Sequence, residues 1–217
     1  MRAFCTVVTP SHLCWAKALS ISLHNAQNLD PIFVLLVSEN QINTDSLPSN
    51  LHLLNLSQLI RQPPANIWWY FDAFELCNAL KPFVVESVLK MGFEQVIFLD
   101  SDLYVVGSFE PVWSTLQNTS LLVTPHHLYP PNLQLGYTNE VAIVDMGIFN
   151  GGFLAWQSSN MTHEMLNWMC QRFPIYGFCD RRQGMFVDQK LIPLLLQYFP
   201  RDIYISSSPC LNIAFWN

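Results

Sequence analysis

Two short stretches near the start of the chain read as buried strands: Ala3–Val8 is apolar and β-branched, and Pro31–Val37 is apolar without interruption. A strand with one face in water alternates apolar and polar residues. A strand covered on both faces does not, and such double burial is the mark of a parallel sheet sandwiched between helices. Between the two runs, His12–Asn28 has helical spacing and Thr9-Pro10-Ser11 punctuates the first turn, so the first forty residues read as a βαβ unit. The expected fold is therefore α/β, with a mostly parallel central sheet flanked by helices.

The rest of the chain continues this pattern. Leu51–Leu54 reads as a short strand, Gln62–Pro64 as a loop, and Ile67–Met91 as a helical stretch interrupted at Pro82. Gln95–Leu99 is a compact strand followed by a second extended piece, Leu103–Val106. Pro111–Gln117 reads as a helix, Leu121–Thr124 as a strand, Pro125–Asn139 as a long loop, and Ile148–Trp156 as a strand carrying two glycines. Helices are expected at Met161–Phe173 and Gly184–Gln197, and a last strand at Asp202–Ile205. At 217 residues one domain suffices. Its 51% hydrophobic content supplies a large core, and a formal charge of -6 disfavours nucleic acid, whose phosphates need clustered Lys and Arg. No apolar run approaches the roughly 18 residues of a transmembrane segment, and Met1 leads almost directly into a strand without a signal peptide; the chain reads as cytoplasmic. The six cysteines show no C-x-x-C spacing and read as buried, reduced thiols.

The chemistry concentrates where the strand Gln95–Leu99 ends in Asp100-Ser101-Asp102. In extended backbone, residues two apart project to one side, so both carboxylates face one space. Their repulsion is relieved by a cation, and hard oxygen ligands select Mn²⁺ or Mg²⁺ over zinc. A bound diphosphate completes the ion's ligand shell, and the ion neutralises charge on a departing diphosphate. The position also obeys the rule that open α/β sheets bind ligands beyond the carboxyl ends of their strands. The competing reading is a solvated turn with local side-chain hydrogen bonds.

In this context the chain resembles the GT-A-fold glycosyltransferases, a Rossmann-like single-domain group, and within them bacterial relatives of the family 8 type. The likeness is carried by Thr6–His12, Glu75–Pro82, Val96–Val106 with its Asp-x-Asp, Gly147–Trp156 and Gly184–Lys190. It implies a nucleotide-binding half over about 1–106 and a sugar and acceptor half over about 107–217. It implies that Thr6, Val8, Thr9, Ser11 and His12 hold base and ribose, that Lys81 faces the diphosphate with Asp100, Ser101 and Asp102, and that Asn150, Gly151 and Gly152 line the donor sugar. Asp188 and Gln189 fall beside the reacting sugar carbon, as catalytic candidates. The partners implied are a nucleotide-diphosphate sugar, first of all a UDP-sugar, and a glycan or lipid-linked glycan acceptor, with retention at the anomeric carbon.

Plainer readings stand beside these. His12 and Asp188 suit helix starts, Lys81 suits a solvated helix face, and Gly151-Gly152 suits a β-bulge. His126 and His127 are acceptor-side candidates only, and Trp68–Phe71 serves either as core or as a surface on which an acceptor sugar stacks. The chain departs from the family in one respect. Relatives supply a further metal ligand, commonly a histidine, near the C-terminus, whereas here no His follows His163, which leaves a C-terminally truncated domain or an ion holding extra waters. A catalytically weak nucleotide-sugar-binding domain is therefore the alternative to an enzyme. Sugar nucleotidyl transfer is the third reading, against which the chain shows no Gly-rich basic loop near the N-terminus to hold a triphosphate.

Overall fold

The computed structural model describes residues 1–38, 47–130 and 140–214. In chain order the elements are β1 (Arg2–Val8), α1 (Leu13–Asn25), β2 (Ile32–Leu36), β3 (Leu51–Asn55), α2 (Ile67–Tyr70), α3 (Ala73–Ala79), α4 (Lys81–Lys90), β4 (Gln95–Leu99) and α5 (Glu110–Leu116). They continue with β5 (Leu121–Pro125), α6 (Glu140–Met146), β6 (Phe149–Gln157), α7 (Asn160–Tyr176), β7 (Cys179–Asp180), β8 (Met185–Phe186), α8 (Ile192–Tyr198) and β9 (Ile203–Ile205).

The main sheet runs β3-β2-β1-β4-β6-β5-β9, and β7 and β8 form a separate ribbon. Within the main sheet only β6 is reversed. It pairs antiparallel with β4 and β5, while β1, β2, β3 and β4 pair parallel, as do β5 and β9. The predominantly apolar sequences of β1, β2 and β4 are explained by burial on both faces. One face carries Cys5, Val7, Val96 and Phe98 into a core with α4, α7 and α8. The other carries Phe4, Val8, Ile97 and Leu99 against α1 and α5. α4 is buried from Lys81 to Leu89, because it lies between the sheet and α7.

Several expectations are corrected. The stretch Ile67–Met91 is three helices, and Pro82 interrupts none of them. It stands in the first turn of α4, where its missing N–H has no intrahelical acceptor to lose. Leu103–Val106 joins no strand ladder; the Val105 N–H donates to Ser22 Oγ at 3.0 Å. Gly184–Gln197 is not one helix, since Gly184 (φ 72°) and Val187 (φ 40°) lie in the left-handed region and only Ile192–Tyr198 closes as α-helix. Glu140–Met146 forms a helix that periodicity does not announce. Of the cysteines, Cys14, Cys179 and Cys210 are exposed free thiols, not buried ones. The part of the expected loop from 131 to 139 lies outside the described residues, as do 215–217.

Candidate active site

β2 and β4 lie on opposite sides of β1, so the chain switches direction across the sheet at the β1/β4 pair. A crevice opens beyond carboxyl ends at such a switch point. Here it is a cavity of about 530 Å³, within the range of small-molecule sites. Val7, Val8, Thr9 and His12 enter from the end of β1, Phe98, Asp100, Ser101 and Asp102 from the end of β4, and Asp72, Ala73, Phe74, Cys77, Asn78 and Lys81 from α3 and α4.

The α3 wall follows from local sequence. Asp72 caps the helix, its carboxylate accepting from the Glu75 N–H at 2.8 Å while the Glu75 carboxylate accepts from the Asp72 N–H at 2.9 Å. Ala73, Cys77 and Lys81 then recur every fourth residue, as do Phe74 and Asn78, and these are the residues that reach the cavity. Glu75 also accepts from the Cys179 N–H at 2.7 Å, which ties the β7–β8 ribbon to this wall.

Asp100 and Asp102 share one space, though not through strand alternation. β4 ends at Leu99, and Asp100–Leu103 is a turn closed by the Leu103 N–H on the Asp100 carbonyl at 3.2 Å. Asp100, Ser101 and Asp102 all line the cavity, so the turn and the site are the same object. The Asp100 side chain keeps 41% of its surface exposed, yet the protein crowded around it removes enough water to push its carboxyl up to about 6, against the pull of Lys81 and with the repulsion of Asp188 and Asp102.

Lys81 is not a solvated helix residue. It is 3% exposed, and its ammonium lies 3.0 Å from Asp188 Oδ2, 2.9 Å from the Gly151 carbonyl and 3.3 Å from Asp100 Oδ1. Burial pulls its pKa down, but Asp100 and Asp188 outweigh that and hold it above the ordinary lysine value. Lys81 is thus a fixed cation at the back of the cavity. Asp188 is fully buried behind it, in a 3-10 turn, with Oδ1 lacking a partner among the described residues. Val187 before it is buried at φ 40° and ψ −139°, a conformation that costs a β-branched residue strain.

The reversed direction of β6 brings its beginning to the same place. Leu99 pairs with Phe153, and the Asp100 N–H donates to the Gly152 carbonyl at 2.9 Å. The pairing with β5 slips between Val123 and Thr124, a bulge that spans Gly151 to Phe153. A Cβ on Gly151 would sit 2.9 Å from Asp188 Cγ, and one on Gly152 2.8 Å from Asp100 Oδ2. These glycines are required by two carboxylates pressed against the backbone. The Asn150 amide accepts from the Gly152 N–H at 2.8 Å and donates to the Asn212 side chain at 2.6 Å.

Of the residues singled out from sequence, Val8, Thr9, His12, Lys81, Asp100, Ser101 and Asp102 line the cavity. Ser11 joins its edge indirectly, its hydroxyl 3.0 Å from both Thr9 Oγ1 and His12 Nδ1. Asn150, Gly151, Gly152 and Asp188 stand one layer behind, in contact with the lining residues or with each other. Thr6 is buried on the α1 side of the sheet and does not reach the cavity; Gln189, its Oε1 buried without a partner among the described residues, does not line it either. His126 is bound to the Gly147 carbonyl at 2.7 Å, and burial lowers its pKa. Asp72 and Phe74 are lining residues outside every motif, and Cys77 and Asn78 lie within Glu75–Pro82 but were given no role there; the Asp-x-x-Glu cap and the i, i+4 recurrence before Lys81 were the available signal.

As a donor set, the Asp100 and Asp102 carboxylates are hard oxygens suited to Mn²⁺ or Mg²⁺. Among the described residues no third His, Cys, Asp or Glu completes a protein cluster. A cation held here takes its other ligands from water or from phosphate oxygens, a common arrangement for Mg²⁺.

No protein-family model matches the chain. The uncharacterized protein YfnF of Bacillus subtilis (strain 168) is 24% identical over 219 residues, spanning 99% of this chain and 72% of its own length. Among solved structures, the galactosyltransferase LgtC in complex with donor and acceptor sugar analogues matches 95% of this chain and 73% of its own, with a TM-score of 0.53 and 15% identity. The glycosyltransferase GlyE of Streptococcus pneumoniae TIGR4 matches 95% of this chain and 46% of its own, with a TM-score of 0.55 and 15% identity. A glycosyltransferase involved in glycosylation of the major capsid of PBCV-1 matches 94% and 81%, with a TM-score of 0.53 and 8% identity. The fold is that of the GT-A glycosyltransferases. No helix among the described residues is long and apolar enough to cross a membrane.

Proposed function

We propose that this chain transfers a sugar from a nucleotide-diphosphate sugar, a UDP-sugar first, to a hydroxyl of a glycan or lipid-linked glycan, with retention. One observation carries the reading: an acidic turn and a buried lysine converge in a cavity at the β1/β4 switch point, which is the charge pattern a metal-bound diphosphate needs. Asp100 and Asp102 would hold Mn²⁺ or Mg²⁺, which supplies Lewis-acid stabilisation of the leaving diphosphate. Val8, Thr9 and His12, from the end of β1, would receive the nucleoside, and Phe74 adds an aromatic ring to the same cavity wall. Lys81 supplies fixed positive charge close to where the diphosphate oxygens would lie. Asp188 and Gln189 are proposed for the sugar carbon; in this structure Asp188 acts through Lys81, whose ammonium it orients. The complex of LgtC with donor and acceptor analogues supports a sugar donor and a sugar acceptor for this fold.

The test is calorimetry with UDP-glucose, UDP-galactose and UDP-N-acetylglucosamine in Mn²⁺ and in EDTA, alongside release of free UDP over time. The expected result is metal-dependent binding of one donor, weakened at least tenfold by Asp102→Asn with unchanged circular dichroism. Binding without UDP release would favour the binding-domain alternative. Donor binding that ignores both the metal and Asp102 would remove the acidic turn from the mechanism.

A further inference from the structure

Outside the cavity, the most unusual surface is the short helix α2. Trp69 is 89% exposed, with Trp68 and Tyr70 partly exposed beside it, and Phe74 on α3 is half exposed while also forming cavity wall. An indole left in water forgoes on the order of 150–250 Å² of burial. Folding does not explain that cost, because α2 is anchored without Trp69: Ile67 and Phe71 are buried, and the Tyr70 hydroxyl donates to the Pro174 carbonyl at 2.6 Å.

We propose that Trp69, with Trp68 and Phe74, is an acceptor platform on which the pyranose rings of a neutral glycan stack while a terminal hydroxyl enters the donor cavity. The proposal rests on the transferase reading above and names the acceptor class that reading leaves open. Three observations support it. The platform begins at the cavity wall, to which Phe74 and Asp72 belong, and Trp69 stands three residues before Asp72, a backbone reach of at most about 11 Å, the span of two or three sugar rings. The rings are apolar faces with a polar handle, which suits a sugar whose C–H face is apolar and whose rim carries hydroxyls. The charge of the segment itself does not match the main competitor, an anionic membrane surface; the cations Arg181 and Arg182 lie on the β7–β8 ribbon packed against α3. Between Gln62 and Leu80 the only charged residues are Asp72 and Glu75, both acidic, whereas an anionic membrane surface attracts Lys and Arg.

The experiment uses the full chain and its Trp69→Ala and Trp69→Tyr variants, titrated with maltotriose, cellotriose, chitotriose and lactose in the presence of UDP and Mn²⁺ and followed by tryptophan emission and calorimetry. The expected result is that at least one oligosaccharide binds the parent, that Trp69→Ala weakens it about tenfold, equivalent to about 1.4 kcal/mol for one lost stack, and that Trp69→Tyr retains most of the affinity. UDP binding should be the same in all three proteins. Undiminished oligosaccharide binding by Trp69→Ala overturns the proposal, as does failure of every oligosaccharide. A blue shift of Trp emission on phosphatidylcholine–phosphatidylglycerol vesicles, lost in Trp69→Ala, overturns it in favour of membrane contact. Absence of UDP binding by the parent counts against the transferase reading, and glycan binding lost with Trp69 alone would still support the platform.

Discussion

Replacing Lys81 with Met tests whether the lysine is the counter-ion that holds the site together. The thioether side chain fills similar volume, but removes the ammonium that meets Asp188 at 3.0 Å, the Gly151 carbonyl at 2.9 Å and Asp100 at 3.3 Å. Asp188 is fully buried and already has one oxygen without a partner among the described residues, so losing Lys81 leaves a buried charge uncompensated. Breaking a buried pair from one side costs about 3–5 kcal/mol, against a usual total stability of about 5–15 kcal/mol. With a urea dependence of about 2 kcal/mol per molar, the unfolding midpoint should fall by about 1.5–2.5 M. The Lys81→Met/Asp188→Asn double variant should recover much of this, giving a coupling energy above about 1 kcal/mol in a double-mutant cycle. A midpoint shift below about 0.5 M, or strict additivity, would refute the reasoning and return Lys81 to the helix surface.

Gly151→Ala should cost about 1–3 kcal/mol in thermal unfolding, because its methyl would crowd the Asp188 carboxylate, and most of that cost should vanish in an Asp188→Ala background. An equal cost in both backgrounds would mean the glycine serves the bulge alone. In EDTA, parent stability should fall as pH rises from about 4 to about 6 and then level off, relative to Asp100→Asn, since the folded Asp100 carboxyl keeps a proton that the unfolded chain has released. Thermal midpoints across that range check it, and parallel pH profiles for the two proteins would contradict it.

The local sequence was sufficient for several features because local physics produces them. Double burial shows as the apolar, β-branched run of β1 and the unbroken apolar run of β2, and an acidic pair after a strand shows where a parallel sheet places its ligands. Other features depend on partners far away in the chain. That β6 runs against its neighbours was not legible, since both directions bury the same side chains, yet this reversal sets Gly151 and Gly152 against Asp188 and Asp100. The helical pattern over Gly184–Gln197 failed because two positive φ angles break the backbone there, one at Val187, where no local preference predicts it. Lys81 illustrates the division most clearly. Its place at the first turn of a helix beginning Lys-Pro was readable from sequence, but a lysine on a helix is ordinarily solvated. Only the tertiary structure decided its burial, because the two carboxylates and the carbonyl that satisfy its ammonium come from positions 100, 188 and 151, and their convergence outweighs the desolvation of the charge.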